Sequence, residues 1–136
     1  MRKIMALVLV LVLALSMVGC AEKSMTFDIG EASKIELRSG IDGTTVEITR
    51  TEDIQYITDN INALTFSKGE SSQNYDGWSY WLKWYDSQNT LMEEIVVMGA
   101  DLIDYKDYFY SNTETDNKID IDYFDTLLAM NQKAEG

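Results

Sequence analysis

A chain of 136 residues with a formal net charge of −12 is a poor candidate for nucleic acid, whose binding rests on neutralising phosphates. It has no histidine, which removes the usual general base at neutral pH, the Ser-His-Asp triad and most catalytic zinc sites. One cysteine, Cys20, leaves no intramolecular disulfide, and without proline no spacer can be a stiff proline-rich stalk.

The chain starts with a positive stretch, Met1-Arg2-Lys3, followed by unbroken apolar residues from Ile4 to Leu15 and then Ser16-Met17-Val18-Gly19-Cys20. Positive, apolar and small-residue regions in that order make a secretory signal. The apolar run is shorter than the roughly 20 residues of a bilayer span. Met17-Val18-Gly19-Cys20 resembles the bacterial lipobox, with Met where Leu is usual. The resemblance implies that a diacylglycerol is added to the Cys20 thiol and that the chain is cut between Gly19 and Cys20. The expected organisation is a signal peptide over 1–19, a lipid anchor and tether over 20–32, and a single domain over 33–136. The protein is then held on the extracytoplasmic face of the cell membrane through lipid on Cys20; two acyl chains anchor stably where one binds marginally. Residues 1–19 carry Arg2 and Lys3 and no acid, so the remaining 117 residues stand at −14. That is enough chain for one core.

Ser33–Ser39 alternates, with Ile35 and Leu37 opposite Lys34, Glu36 and Arg38. After the turn Gly40-Ile41-Asp42-Gly43, Thr44–Thr49 alternates again, with Val46 and Ile48 inward. This predicts a β-hairpin with one wet face. Ile54, Ile57, Ile61 and Leu64 form one helical stripe, which predicts a helix over about 54–64 with Thr51 as cap and Glu52 and Asp53 in its first turn; Thr49 with Glu52 fits a capping box and offers a start one turn earlier. Thr65–Lys68 reads as a short strand and Gly69–Asp76 as a mobile polar loop. Gly77–Tyr85 is an aromatic strand and Thr90–Met98 its return. Leu102–Tyr105 and Tyr108–Ser111 make two short strands around Lys106-Asp107. A last helix, over about 120–131, has Asp120 as cap and Ile121, Phe124, Leu127 and Leu128 as its apolar face. The fold class expected is α+β: a mostly antiparallel sheet with two helices packed on it.

Two regions draw attention as sites. In a strand, Trp78, Tyr80, Leu82 and Trp84 share one face, and Ser79, Trp81, Lys83 and Tyr85 the other. The second face is either covered, as ordinary cross-strand packing, or partly open. If open, Trp81, Lys83 and Tyr85, with Tyr75 in the preceding loop, suit a sugar ring or a peptide. The acidic C-terminal third holds Asp101, Asp104, Asp107, Glu114, Asp116, Asp120, Asp122 and Asp125. Asn112-x-Glu114-x-Asp116 begins like a calcium loop, but Asn117 takes its glycine place and Tyr123 the place of its bidentate Glu. It reads instead as a turn into the last helix. Glu93 and Glu94 point to opposite faces of a strand, and Ser67 and Lys68 likewise diverge, so neither pair makes a catalytic site.

The stretches Gly43-Thr44-Thr45-Val46-Glu47-Ile48-Thr49, Gly77-Trp78-Ser79-Tyr80-Trp81-Leu82 and Ile119-Asp120-Ile121-Asp122-Tyr123-Phe124 resemble small uncharacterised lipoproteins of Gram-positive bacteria, a resemblance that brings no activity. The expected function is a non-catalytic binding domain for a peptide, glycan or partner protein, with no cofactor, no metal and no nucleic acid. Two alternatives stand beside it: an acidic, immunity-like inhibitor that sequesters a basic protein at the envelope, and a carboxylate-dependent envelope enzyme.

Overall fold

The computed structural model describes residues 24–135, which form one eight-stranded sheet and two helices. In chain order these are β1 (Ser24–Thr26), β2 (Lys34–Ser39), β3 (Thr45–Ile48), α1 (Thr51–Asn62), β4 (Thr65–Ser71), β5 (Tyr80–Tyr85), β6 (Leu91–Gly99), β7 (Leu102–Tyr105), β8 (Tyr108–Asn112) and α2 (Ile121–Glu135). The sheet order is β1-β4-β8-β7-β6-β5-β2-β3, and every pairing is antiparallel. This is the α+β architecture that the period-2 and helical patterns predict.

Alternation decides the two faces. Ile35 and Leu37 of β2, Leu82 and Trp84 of β5, Ile95 and Val97 of β6, Ile103 of β7 and Phe66 of β4 are fully buried on one face. Both helices pack there. The α1 stripe is Ile54, Ile57 and Ile61, with Leu64 buried just past the helix end. From α2, Phe124 and Leu128 enter the core and Ile121 and Leu127 lie against it. Because β3 is one edge strand and β4 sits beside the other, α1 must cross the whole core face between them.

Polar side chains fasten this layer. The Trp84 indole donates to Thr58 Oγ1 at 3.0 Å, and Thr58 Oγ1 donates to the Ile54 carbonyl at 2.7 Å. Asn60 and Asn62 lie off the apolar stripe and each makes two bonds. Asn62 accepts from the Ile29 amide and donates to the Ile29 carbonyl, both at 3.0 Å. Asn60 donates to the Lys118 carbonyl and accepts from the Asp120 amide, at 2.8 and 3.0 Å. Trp84 and Thr58 are buried, where a polar group without a partner forfeits about 1–3 kcal/mol, and the paired bonds of Asn60 and Asn62 fix where the neighbouring segments run.

Four readings change against the structure. The tether expected over 20–32 is partly domain: Ser24–Thr26 pairs with β4, and Phe27 and Ile29 are in the core. That stretch has too few residues for a detectable period. The α1 cap is Arg50, which makes no side-chain capping bond, so neither Thr51 nor the Thr49–Glu52 box serves. Strand β4 runs to Ser71 rather than Lys68, at the expense of the predicted loop. The aromatic strand starts at Tyr80, so Trp78 leaves the face it was assigned with Tyr80, Leu82 and Trp84. The α2 cap agrees: Asp120 Oδ1 accepts from the Tyr123 amide at 3.2 Å.

Candidate functional site

The second face of the sheet carries no helix. In register across it, Lys34, Glu36 and Arg38 of β2 stand beside Tyr85, Lys83 and Trp81 of β5. Lys83 and Trp81 stand in turn beside Glu94 and Val96 of β6. Trp81, Lys83 and Tyr85 are each partly buried.

The segment between β4 and β5 explains that partial cover. β4 and β5 run in the same direction, with β8, β7 and β6 between them. Residues 72–79 must therefore cross the sheet, and they do so on the helix-free face. Ser72 is buried; its amide bonds the Asp107 carbonyl at 2.9 Å and its hydroxyl donates to Asp104 Oδ1 at 2.6 Å. Tyr75 sets its ring edge-on to Phe109 of β8, with centroids 5.4 Å apart. Trp78 packs edge-on to Trp81 at 5.9 Å. Ser79 closes the crossing through its amide to Val97 O and its carbonyl to the Gly40 amide. The polar loop read as mobile is thus a strap with defined anchor points.

The strap splits the candidate residues. The structure brings Trp81, Lys83 and Tyr85 together and leaves Tyr75, 57% exposed, over β8, three strands and about 14 Å of sheet away. It adds three residues that the sequence reading did not assign to the site: Lys34, Arg38 and Trp78. The Lys34 ammonium lies 4.7 Å from the Tyr85 ring, Lys83 lies 4.3 Å from the Trp81 ring, and the Arg38 guanidinium lies 5.7 Å from the Trp78 ring. All are within the range of cation–π attraction. The sequence showed β2 as a strand with a charged outer face, and only the adjacency of β2 to β5 places its cations beside the rings. The Trp81 indole N–H is buried and has no acceptor among the described residues.

The acidic C-terminal third has a different use. Asp101 Oδ2 pairs with Lys118 at 2.9 Å, and Asp101 Oδ1 accepts from Asn112. Lys118 first, then Asn112, hold the Asp101 carboxyl below its ordinary value. Asn112 also bonds the Asn117 carbonyl and the Glu114 amide, tying the 112–118 turn into a knot of its own side chains. Two more acids of this third, Asp120 and Asp125, accept from tyrosines, as do Glu93 and Asp53 elsewhere in the chain. Tyr56 donates to Asp120 and Tyr80 to Asp125, both at 2.5 Å; Tyr105 donates to Glu93 at 3.1 Å, and Tyr123 donates to buried Asp53. Each of these tyrosines is pushed above its ordinary value. The bond to the carboxylate leads for Tyr56 and for Tyr123, which reaches about 12; burial leads for Tyr80 and Tyr105. Among the described residues no group of three acidic side chains is arranged to hold a metal.

Concavities are found beside α1 and beside the β7–β8 turn. One of about 560 Å³ lies between residues 29–33 and α1, lined by Ile54, Thr58 and Asp59 among others. A second, of about 380 Å³, lies where Glu93, Glu94, Asp104 and Tyr105 meet the β7–β8 turn. There Glu93 already accepts from Tyr105, and Asp104 from Ser72.

The fold and the helix-free face define a small acidic α+β domain with an aromatic and cationic strip. No protein-family model matches the chain, and no curated protein and no solved structure shows significant similarity to it. None of the described helices is long and apolar enough to cross a membrane.

Proposed function

We propose that this protein is a membrane-anchored, extracytoplasmic lipoprotein whose domain is a non-catalytic binding module, taking a peptide or glycan on the strip formed by Trp81, Lys83 and Tyr85 with Lys34 and Arg38. One observation carries the reading. In a chain of net charge −12, three cations stand together on the helix-free face, each over an aromatic ring. Rings that are partly open and edged by cations offer apolar contact to a sugar or peptide backbone and hydrogen-bond donors to its polar groups. The Trp81 N–H is a further donor; any rearrangement of Trp78 that gives it an acceptor recovers the cost of burying it unpaired. The anchor reading rests on the lipobox at Met17–Cys20.

The test is titration with envelope glycan fragments and with peptide libraries, comparing wild type with the Trp81→Ala/Tyr85→Ala double variant. Binding that the variant loses while its thermal unfolding stays cooperative supports the strip. Binding that survives the double substitution removes the strip from the account. The inhibitor alternative, a basic partner held by the net charge of the domain, predicts association that weakens steeply with salt.

A further inference from the structure

The strap across the helix-free face lays one of its own side chains on the strip. Trp78 sets its ring edge-on to Trp81, with centroids 5.9 Å apart, and the Arg38 guanidinium lies 5.7 Å from the Trp78 ring. Arg38 and Trp81 are cross-strand partners on β2 and β5, so Trp78 touches the strip on two strands at once. The Lys83 ammonium lies 4.3 Å from the Trp81 ring. A piece of chain bearing an aromatic side chain therefore already occupies the Trp81 end of the strip, and it comes from the same molecule.

That occupant fits incompletely. The Trp81 indole nitrogen is the one buried side-chain polar atom without a partner among the described residues. An indole is a hydrogen-bond donor only, so the Trp78 side chain packed on Trp81 has no acceptor to offer it. Native structures leave few buried donors unpaired. Trp84 of the same strand shows the usual arrangement, with its indole N–H bonded to Thr58 at 3.0 Å. The hold on Trp78 is also slight. The strap is fastened at Ser72 and Ser79, but Asp76, Gly77 and Trp78 make no backbone hydrogen bond among the described residues. Gly77, directly before Trp78, has a φ of 126°, a conformation that glycine adopts readily. On the other side, the Trp78 carbonyl lies where a Cβ on residue 40 would be, 2.1 Å from that position, and glycine there leaves the space. Segments with few backbone bonds open locally while the rest of the fold stays intact.

We infer that Trp78 is a placeholder, displaced from Trp81 by a peptide ligand that brings an aromatic side chain and a backbone carbonyl to accept the Trp81 N–H. The inference rests on the strip being the binding site proposed above, and it selects peptide over glycan. The occupant seen on Trp81 is itself a peptide segment with an aromatic side chain, and in a peptide a carbonyl lies beside every such side chain. Arg38, exposed and without an ion-pair partner among the described residues, is a second donor at the same place. A site that is open for only a fraction of the time binds more weakly by that fraction. Moving Trp78 off Trp81 therefore strengthens binding, whereas losing a residue that holds the ligand would weaken it.

The test uses the full chain, purified in detergent and isotope-labelled for NMR, as wild type, Trp78→Ala and Gly40→Ala. The second variant pushes on the strap without touching the Trp78 side chain. The probes are an unlabelled synthetic peptide with the sequence of residues 73–79, the same peptide with alanine in place of its tryptophan, and chitotriose. Binding is read from the indole and backbone N–H cross-peaks, and an unshifted Trp84 indole cross-peak shows that each variant is folded. Both variants should bind the tryptophan peptide at least about tenfold more tightly than wild type, with the Trp81 indole cross-peak moving, and should not bind the alanine peptide. Binding by both variants that is no tighter than that of wild type, or a Trp81 cross-peak moved by chitotriose while that of Trp78 stays in place, overturns the placeholder and leaves the strip standing. A peptide that shifts nothing in either variant overturns the placeholder as well. Peptide binding by Trp78→Ala that survives the further Trp81→Ala/Tyr85→Ala substitution overturns the strip and the inference with it.

Discussion

Replacing Thr58 by valine tests the bond that ties α1 to the most buried part of β5. Trp84 is 0% exposed and Thr58 is 8% exposed, and the indole N–H has Thr58 Oγ1 as its partner at 3.0 Å. Valine keeps the shape of the side chain and has a helix propensity close to that of threonine. The change therefore removes the acceptor together with the hydroxyl's own bond to the Ile54 carbonyl, and the cycle with Trp84 separates the two. A buried N–H left unpaired costs about 1–3 kcal/mol, and the added methyl contributes up to about 0.8 kcal/mol in return. The expected net loss is about 1–2 kcal/mol, or roughly 4 °C in Tm per kcal/mol for a domain of this size. Trp84→Phe removes the donor, and in that background Thr58→Val should cost under about 0.5 kcal/mol. The double-mutant cycle, read by urea unfolding with circular dichroism, should give a coupling of about 1–2 kcal/mol. Costs that add to within about 0.3 kcal/mol would refute the reasoning.

Three further outcomes follow from the same structure. Alanine at Gly40 would put its Cβ 2.1 Å from the Trp78 carbonyl oxygen, whereas at Gly99 nothing lies within 4 Å. Gly40→Ala should lose about 1–3 kcal/mol by overpacking the strap, and Gly99→Ala should fall well short of that loss in the same urea titration. Tyr123 keeps its proton to about 12 because it donates to Asp53, while in the unfolded chain it titrates near about 10. The folded state therefore binds more protons between these values, and stability falls as pH rises through them. Tyr123→Phe should make Tm less steep over that range, and an unchanged slope would remove Tyr123 from the explanation. Trp81→Ala/Tyr85→Ala, on a face that no helix covers, should leave unfolding cooperative, as differential scanning calorimetry would show.

Elements with a clear period were legible in the sequence. The β2–β3 hairpin, the stripe Ile54–Ile57–Ile61, the β7–β8 hairpin and the Asp120 cap all stand where alternation, helical spacing or capping chemistry predict them. What escaped depends on contacts distant in sequence. Ser24–Thr26 is a strand because β4 offers it an edge, which three residues cannot announce. Residues 72–79 look like a polar loop because their order comes from Asp104, Phe109 and Trp81, which lie on three different strands. The candidate strip was half legible for the same reason. Trp81, Lys83 and Tyr85 share a face by alternation alone, but Lys34 and Arg38 join them only through strand order. Tyr75, near in sequence, is carried away by the strap. The carboxylates of the last third were visible as a cluster, and their hydroxyl partners Tyr56 and Tyr80 were not, since 64 and 45 residues separate each pair.

The account depends most on Cys20, since the proposed placement of the domain at the membrane follows from that residue. Intact mass measurement of the protein purified from membranes of a lipidating host tests it directly. The expected species is residues 20–136 with a diacylglycerol on the Cys20 sulfur, and Cys20→Ala should remove it from the membrane fraction or leave unprocessed precursor. A wild-type chain that retains residues 1–19 with a free thiol, or a Cys20→Ala protein found processed and membrane-bound as before, would contradict the account.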